Sequence, residues 1–366
     1  MSRPLLLLTL GDPNGIGPEI ALKAAARDDV RDAARLVAVG SAAGLADQAE
    51  RLGLGRVQRI ATLADAAGIA ADVLPVLEPD GIAPDYTWGA TTAAGGRAAW
   101  QALELAVDLC LDAAHPLAAG TPPAGIVTAP LSKEAVARAG VPFPGHTDYL
   151  AERADGQAVM VLASDLDAGP LRVALQTVHV PVAAVPELIT SNAIQSTALH
   201  LAASLRADLG IGAPRIAVLG LNPHAGDGGV IGREDLDTVG PACDALRATG
   251  LEADGPFPAD AFFGRQTWAR YDATLAMYHD QGLAPFKALA MGGGVNVTLG
   301  LSLVRTSPDH GTSFDIAGRG IADANSLAEA VKLAAQIAEA REGSTLNTKD
   351  REGSTGSSQT MSSRSR

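Results

Sequence analysis

Apolar residues in this chain fall in short runs separated by longer amphipathic stretches. Residues 5–10 are almost wholly apolar, the pattern of a strand buried on both faces. Comparable runs predict strands at 36–39, 125–128, 159–162, 171–178, 215–219 and 274–278. Helical spacing predicts helices over 18–26, 45–52, 93–113, 191–209 and 235–249. Strands that alternate with helices in this way build an α/β protein, a parallel or mixed sheet covered on both faces. After Arg341 the pattern stops. Residues 343–366 are rich in Ser, Thr and Gly with scattered charges, so a disordered tail is expected there.

At 366 residues the chain exceeds what one compact core organises, so two domains are expected. The stretch 115–123 (HPLAAGTPP) and the glycine run 292–294 are natural crossings between them. The first α/β domain then takes residues 1–122 plus 292–342, and the second takes 123–291, with a cleft between. Aromatic residues make up only 4%, which disfavours an all-β sandwich.

The formal net charge of −13 argues against a duplex nucleic-acid partner, because such binding needs a basic face. A small anionic ligand is still allowed, since a few cations converging in a cleft dominate locally. Two distant cysteines, Cys110 and Cys243, make neither a disulfide framework nor a cysteine metal site and read as buried thiols. The N-terminal apolar run is too short for a signal sequence, and no segment has the roughly 18 uncharged apolar residues of a membrane span. A cytoplasmic protein is expected.

Seven histidines carry most of the candidate chemistry. His200 lies in a helical pattern and His115 precedes a proline, which suits structural or surface roles. The other five (His146, His179, His224, His279 and His310) sit beside turn-forming residues at the ends of predicted strands. Ligands of open α/β sheets bind outside the carboxyl ends of strands. Imidazole is the commonest zinc ligand, and three histidines with open positions define a catalytic metal site. Spacing alone does not say which three would ligate. The first loop, GDPNGIGPE at 11–19, joins a strand to a helix with Pro18 and Glu19 in its first turn, where free N–H groups could face an anion. It is not the G-x-G-x-x-G fingerprint. Lys287, Asn296 and Arg305 lie near the glycine runs and histidine loops and suit a carboxylate or phosphate.

Several long motifs resemble the 4-hydroxythreonine-4-phosphate dehydrogenases of vitamin B6 biosynthesis, in order from about residue 5 to about residue 340. They are GDPNGIGPE at 11–19, PGHTD at 144–148, GLNPHAGDGG at 220–229, AMYHDQGLAPFK at 276–287 and NVTLGLSLVRTSPDHGTSFDIAG at 296–318. The last block also resembles isocitrate and isopropylmalate dehydrogenases, which implies their two-domain α/β/α fold and not a Rossmann domain. The resemblance implies NAD or NADP on a loop with His310, Gly311, Thr312 and Asp315, and a divalent metal (Zn, Mg or Co). His179, His224 and His279 would be the metal ligands, contributed by both subunits of a homodimer. His146 and Thr147 would contact the substrate and its phosphate; Lys287, Asn296 and Arg305 would complete the substrate site, with Lys287 or His146 relaying protons.

The implied reaction oxidises 4-phosphooxy-L-threonine to a 2-amino-3-oxo acid, which decarboxylates to 3-amino-2-oxopropyl phosphate. Asp148 stands where the family usually has Glu, and Glu234-Asp235 where it has an acidic pair. Substrate identity is therefore the open point. A 4-phospho-D-threonate or D-erythronate dehydrogenase is the alternative within the class. A metal-dependent hydrolase or aldolase without nicotinamide is the alternative outside it.

Overall fold

The computed structural model describes residues 3–355 apart from Pro144, and of residues 344–355 the backbone only. Its strands are β1 (Leu5–Thr9), β2 (Arg35–Val39), β3 (Arg56–Ile60), β4 (Val73–Leu77), β5 (Gly125–Thr128), β6 (Gly156–Leu166), β7 (Gly169–Leu175), β8 (Arg215–Leu219), β9 (Glu252–Phe257), β10 (Ala273–Ala276), β11 (Val295–Leu301) and β12 (Arg305–Pro308). They form one 12-stranded sheet in the order β3-β4-β2-β1-β5-β12-β11-β6-β7-β10-β8-β9. Pairing is parallel from β3 to β12 and from β7 to β9. Between them β12–β11, β11–β6 and β6–β7 pair antiparallel. The fold is thus mixed α/β, and its strand order differs from the 3-2-1-4-5-6 order of a Rossmann sheet.

Hydrophobicity explains the order. β1 and β5 are buried at every position and lie in the interior of the sheet, where both faces are covered. β3 (RVQRI) is largely exposed and lies at one edge, where its charged side chains discourage pairing with another chain. The glycine run 292–294 leads into β11, and β11 and β12 then fill the centre of the sheet. This central hairpin sets Asn296 opposite Leu162 of β6 and Arg305 opposite Ile126 of β5.

The helix expected over 235–249 is present, with its first turn wound as a π-helix at Asp235–Val239 and continuing as an α-helix over Gly240–Ala248. Asp235 is 1% exposed, and its carboxylate accepts from the backbone of Leu221 and Asn222. The last helix runs Asn325–Thr355 and so includes residues 343–355, which composition assigned to a disordered tail. Leu327, Ala328, Val331, Ala334 and Ile337 bury its first half, and each later residue adds a hydrogen bond to an existing nucleus. Residues 356–366 of the expected tail lie outside the described residues. Both cysteines are free thiols, Cys243 buried in the core and Cys110 on the Ala93–Leu111 helix.

Candidate active site

A cavity of 710 Å³ opens at the middle of the sheet, lined by segments that follow β5 and β7 and by the inner faces of β6, β11 and β12. Its size suits a small organic ligand with a cofactor fragment. Arg305 on β12 lines it and is only 4% exposed. Its guanidinium donates to the Thr128 hydroxyl at 2.9 and 3.2 Å and to the Thr298 hydroxyl at 3.3 Å. Among the described residues no carboxylate pairs with it within 4.0 Å. Burial pushes its pKa down to about 10, which leaves it charged at neutral pH. A buried cation held only by two hydroxyls is costly in an empty protein and favourable once an anion occupies the cavity.

Further cations and polar atoms face the same space. Lys133 lines the cavity at the start of the Lys133–Arg138 helix. Lys287 lines it from the His279–Ala290 helix, with Nζ donating to the Asp309 carbonyl at 3.0 Å. His146 opens the His146–Arg153 helix, and Thr147 follows it on the wall. Burial, reinforced by the charges of Arg305 and Lys133, holds the His146 pKa well below the usual imidazole value. His146 is therefore neutral at pH 7, with a ring nitrogen able to accept a hydrogen bond. Three cavity-lining residues carry buried polar atoms without a hydrogen-bond partner: Asn296 Oδ1, Gln176 Oε1 and His310 Nε2. Such atoms are satisfied when a polar ligand is bound.

The rim carries two further histidines of the candidate set. His179 and His279 both line the cavity, with ring centroids 5.9 Å apart. His279 Nδ1 lies 2.7 Å from Asp280 Oδ1, a contact that orients the imidazole as carboxylates orient metal-bound histidines. His224 does not line this cavity. It is exposed in the Pro223–Gly229 loop, where His224, Ala225 and Asp227 adopt φ of 54°, 50° and 44°. Left-handed backbone at such residues costs on the order of 1 kcal/mol or more each and persists where surrounding contacts impose it. Asp235 anchors the start of this loop by accepting from Leu221 N and Asn222 N. Among the described residues no cluster of three or more His, Cys, Asp or Glu side chains could hold a metal within one chain. One chain thus supplies two imidazoles, a partial fit to a divalent cation.

Residues 32–334 match the model of the family described as pyridoxal phosphate biosynthetic protein PdxA. The chain belongs to this family. A relative from Prosthecochloris aestuarii named 4-hydroxythreonine-4-phosphate dehydrogenase is 48% identical, covering 90% of this chain and 96% of the relative. One of the same name from Caulobacter vibrioides is 44% identical, covering 93% and 99%. The crystal structure of 4-hydroxythreonine-4-phosphate dehydrogenase from Klebsiella pneumoniae superposes with a TM-score of 0.76 at 35% identity, covering 92% of this chain and 98% of that one.

In this PdxA-family chain the cavity gathers His146, Thr147, His179, His279, Lys287, Asn296, Arg305, His310 and Gly311. Thr312 and Asp315 lie further along the 310–315 loop and do not line it. Thr128, Lys133, Gln176 and His200 are among the lining residues that were not singled out from the sequence as functional. Thr128 and Lys133 had a signal, since both fall at the end of a predicted strand in T-A-P-L-S-K. His200 had none. It looks like any residue of an amphipathic helix until the Ser191–Leu209 helix is placed beside the cavity.

Proposed function

We propose that this chain is an NAD(P)-dependent dehydrogenase of 4-phosphooxy-L-threonine, acting in pyridoxal phosphate formation in the cytoplasm. The observation that carries the reading is Arg305, a buried cation without a carboxylate partner, in the same cavity as neutral His146 and the His310–Gly311 loop. Arg305 and Lys133 bind the substrate's anionic groups, and Thr147 and Asn296 orient its polar backbone. A ring nitrogen of His146 takes the proton of the secondary hydroxyl as hydride leaves the same carbon. The resulting 2-amino-3-oxo acid loses carbon dioxide to give 3-amino-2-oxopropyl phosphate, and Lys287 Nζ donates a proton of its own to the carbon left behind. Bound NAD(P)+ supplies the hydride acceptor, and a divalent cation (Zn²⁺, Mg²⁺ or Co²⁺) supplies Lewis-acid polarisation of the hydroxyl.

His179 and His279 hold that cation from one chain, and His224 of a second copy completes the set. Exposed apolar side chains support the pairing. Val180, Val182 and Leu188 follow His179, while Val230, Ile231 and Leu236 follow His224, with Val182 73% and Val230 83% exposed. A homodimer that covers both patches brings the two histidine groups together. On this reading the cavity is the cleft between residues 1–122 plus 292–342 and residues 123–291.

The test is reduction of NAD+ or NADP+ with 4-phosphooxy-L-threonine, measured before and after chelation and after adding back each metal. The account expects activity that chelation removes and metal restores. Turnover confined to 4-phospho-D-threonate or D-erythronate would reassign the substrate. Failure to bind either nicotinamide in a titration would overturn the reading.

A further inference from the structure

The first loop and its helix, residues 11–25, are not used by the mechanism, although their motif is the most distinctive in the sequence. Their N–H groups do not face an open anion site. Asn14 N donates to Asp12 Oδ1 at 3.0 Å, Gly15 N to the Asp12 carbonyl at 3.0 Å, and Ile16 N to the Thr312 carbonyl at 3.0 Å. The loop is instead packed against the segment after His310. A Cβ on Gly15 would lie 2.7 Å from the Thr312 carbonyl oxygen, so only glycine allows this approach.

One and two turns further on, the Gly17–Ala25 helix grips the far end of the same segment. Glu19 is 1% exposed, and its Oε1 accepts from Ala322 N at 2.7 Å and from Lys23 Nζ at 2.7 Å. Lys23 Nζ also donates to the carbonyls of Gly320 and Ala322 at 2.9 and 2.8 Å. The segment 311–322 has no strand or α-helix of its own, so its shape depends on such anchors. Its near end, His310 and Gly311, lines the active-site cavity.

We infer that Glu19 and Lys23 are positioning residues for nicotinamide cofactor binding: their ion pair fixes Gly320 and Ala322 and so sets the conformation of the 310–322 loop at the cavity. The inference rests on the proposed cofactor role of that loop. Neither side chain touches the reacting atoms. Their effect falls on cofactor affinity more than on turnover, because a loosened loop must be ordered again each time cofactor binds.

The experiment compares the full chain with Lys23→Met, Lys23→Arg and Glu19→Gln. Two readouts are taken: hydrogen exchange of the 311–322 amides, and kcat and KM for NAD(P)+. Lys23→Met should raise exchange in 311–322 about tenfold, with the rest of the sheet unchanged, and raise the cofactor KM about tenfold with kcat within about twofold. Glu19→Gln keeps an acceptor for Ala322 N and should show a smaller change in the same direction. Lys23→Arg should restore most of both. Unchanged exchange in 311–322 would overturn the anchoring. Faster exchange there with an unchanged cofactor KM would overturn the link to cofactor binding. A parent chain that reduces no nicotinamide would defeat the proposed function instead, and the exchange readout would still report on the anchor. A general loss of protection across the sheet in both Lys23→Met and Glu19→Gln would mean a role in folding, and would also count against the inference.

Discussion

The floor and the rim of the cavity are built on opposite principles. The floor around Arg305 is closed: the guanidinium is buried, and hydroxyls from two neighbouring strands hold it in place before any ligand arrives. The rim around His179 and His279 is open, with two imidazoles side by side, the third candidate elsewhere, and exposed apolar residues beside both. On the proposed reading, a single chain finishes its anion seat and leaves its metal seat unfinished. On that reading, affinity for the anion is preorganised within one chain, while the chemistry on the rim would require assembly.

The largest expected effect lies on the floor. Arg305→Met should lower kcat/KM by about a thousandfold, the cost of leaving a buried substrate anion unpaired. Thermal stability should hold or rise, since the variant removes a buried charge that lacks a carboxylate partner. A large drop in stability would mean that Arg305 serves the fold and would erase the contrast. On the rim, His224→Ala should lower metal content and activity at least about tenfold, yet change stability by under about 1 kcal/mol, because His224 is exposed. Equal metal content in the variant would remove His224 from the ligand set.

A further effect, in the first loop outside the cavity, is read by pH. Asp12 is fully buried, and burial raises its pKa from 3.8 to about 6, against a smaller opposing effect from the Asn14 N–H. A carboxyl raised in the folded state contributes stability that is present below pH 3.8 and lost as pH rises through about 6. Asp12→Asn keeps an oxygen for Asn14 and should be more stable than the parent at pH 7.5 by about 2–3 kcal/mol, with the advantage shrinking towards pH 4. Urea unfolding at the two pH values measures it. An advantage independent of pH would show that Asp12 is ionised at no cost.

How much of this was legible beforehand follows from how local each signal is. β1 and β8 could be read from four consecutive apolar residues, because burial of an interior strand is written in its own composition. Asn296 and Arg305 could be picked as anion contacts by residue type. What no local pattern held was that β11 and β12 would enter the middle of the sheet and turn Arg305 between Thr128 and Thr298. The histidines divide the same way. Strand-end position marked His179 and His279, which do meet, but it marked His224 equally, and His224 does not line their cavity. His200 carried no mark at all. Its place at the cavity is set by how the Ser191–Leu209 helix packs, a long-range property.

The most direct test of the contrast mixes two inactive variants, His224→Ala and His279→Ala, under conditions that let subunits exchange. If each metal seat takes His179 and His279 from one copy and His224 from the other, a mixed dimer carries one intact seat. Random exchange should then return about a quarter of the parental activity and of the bound metal. Recovery of neither after exchange has been verified would contradict a seat shared between copies.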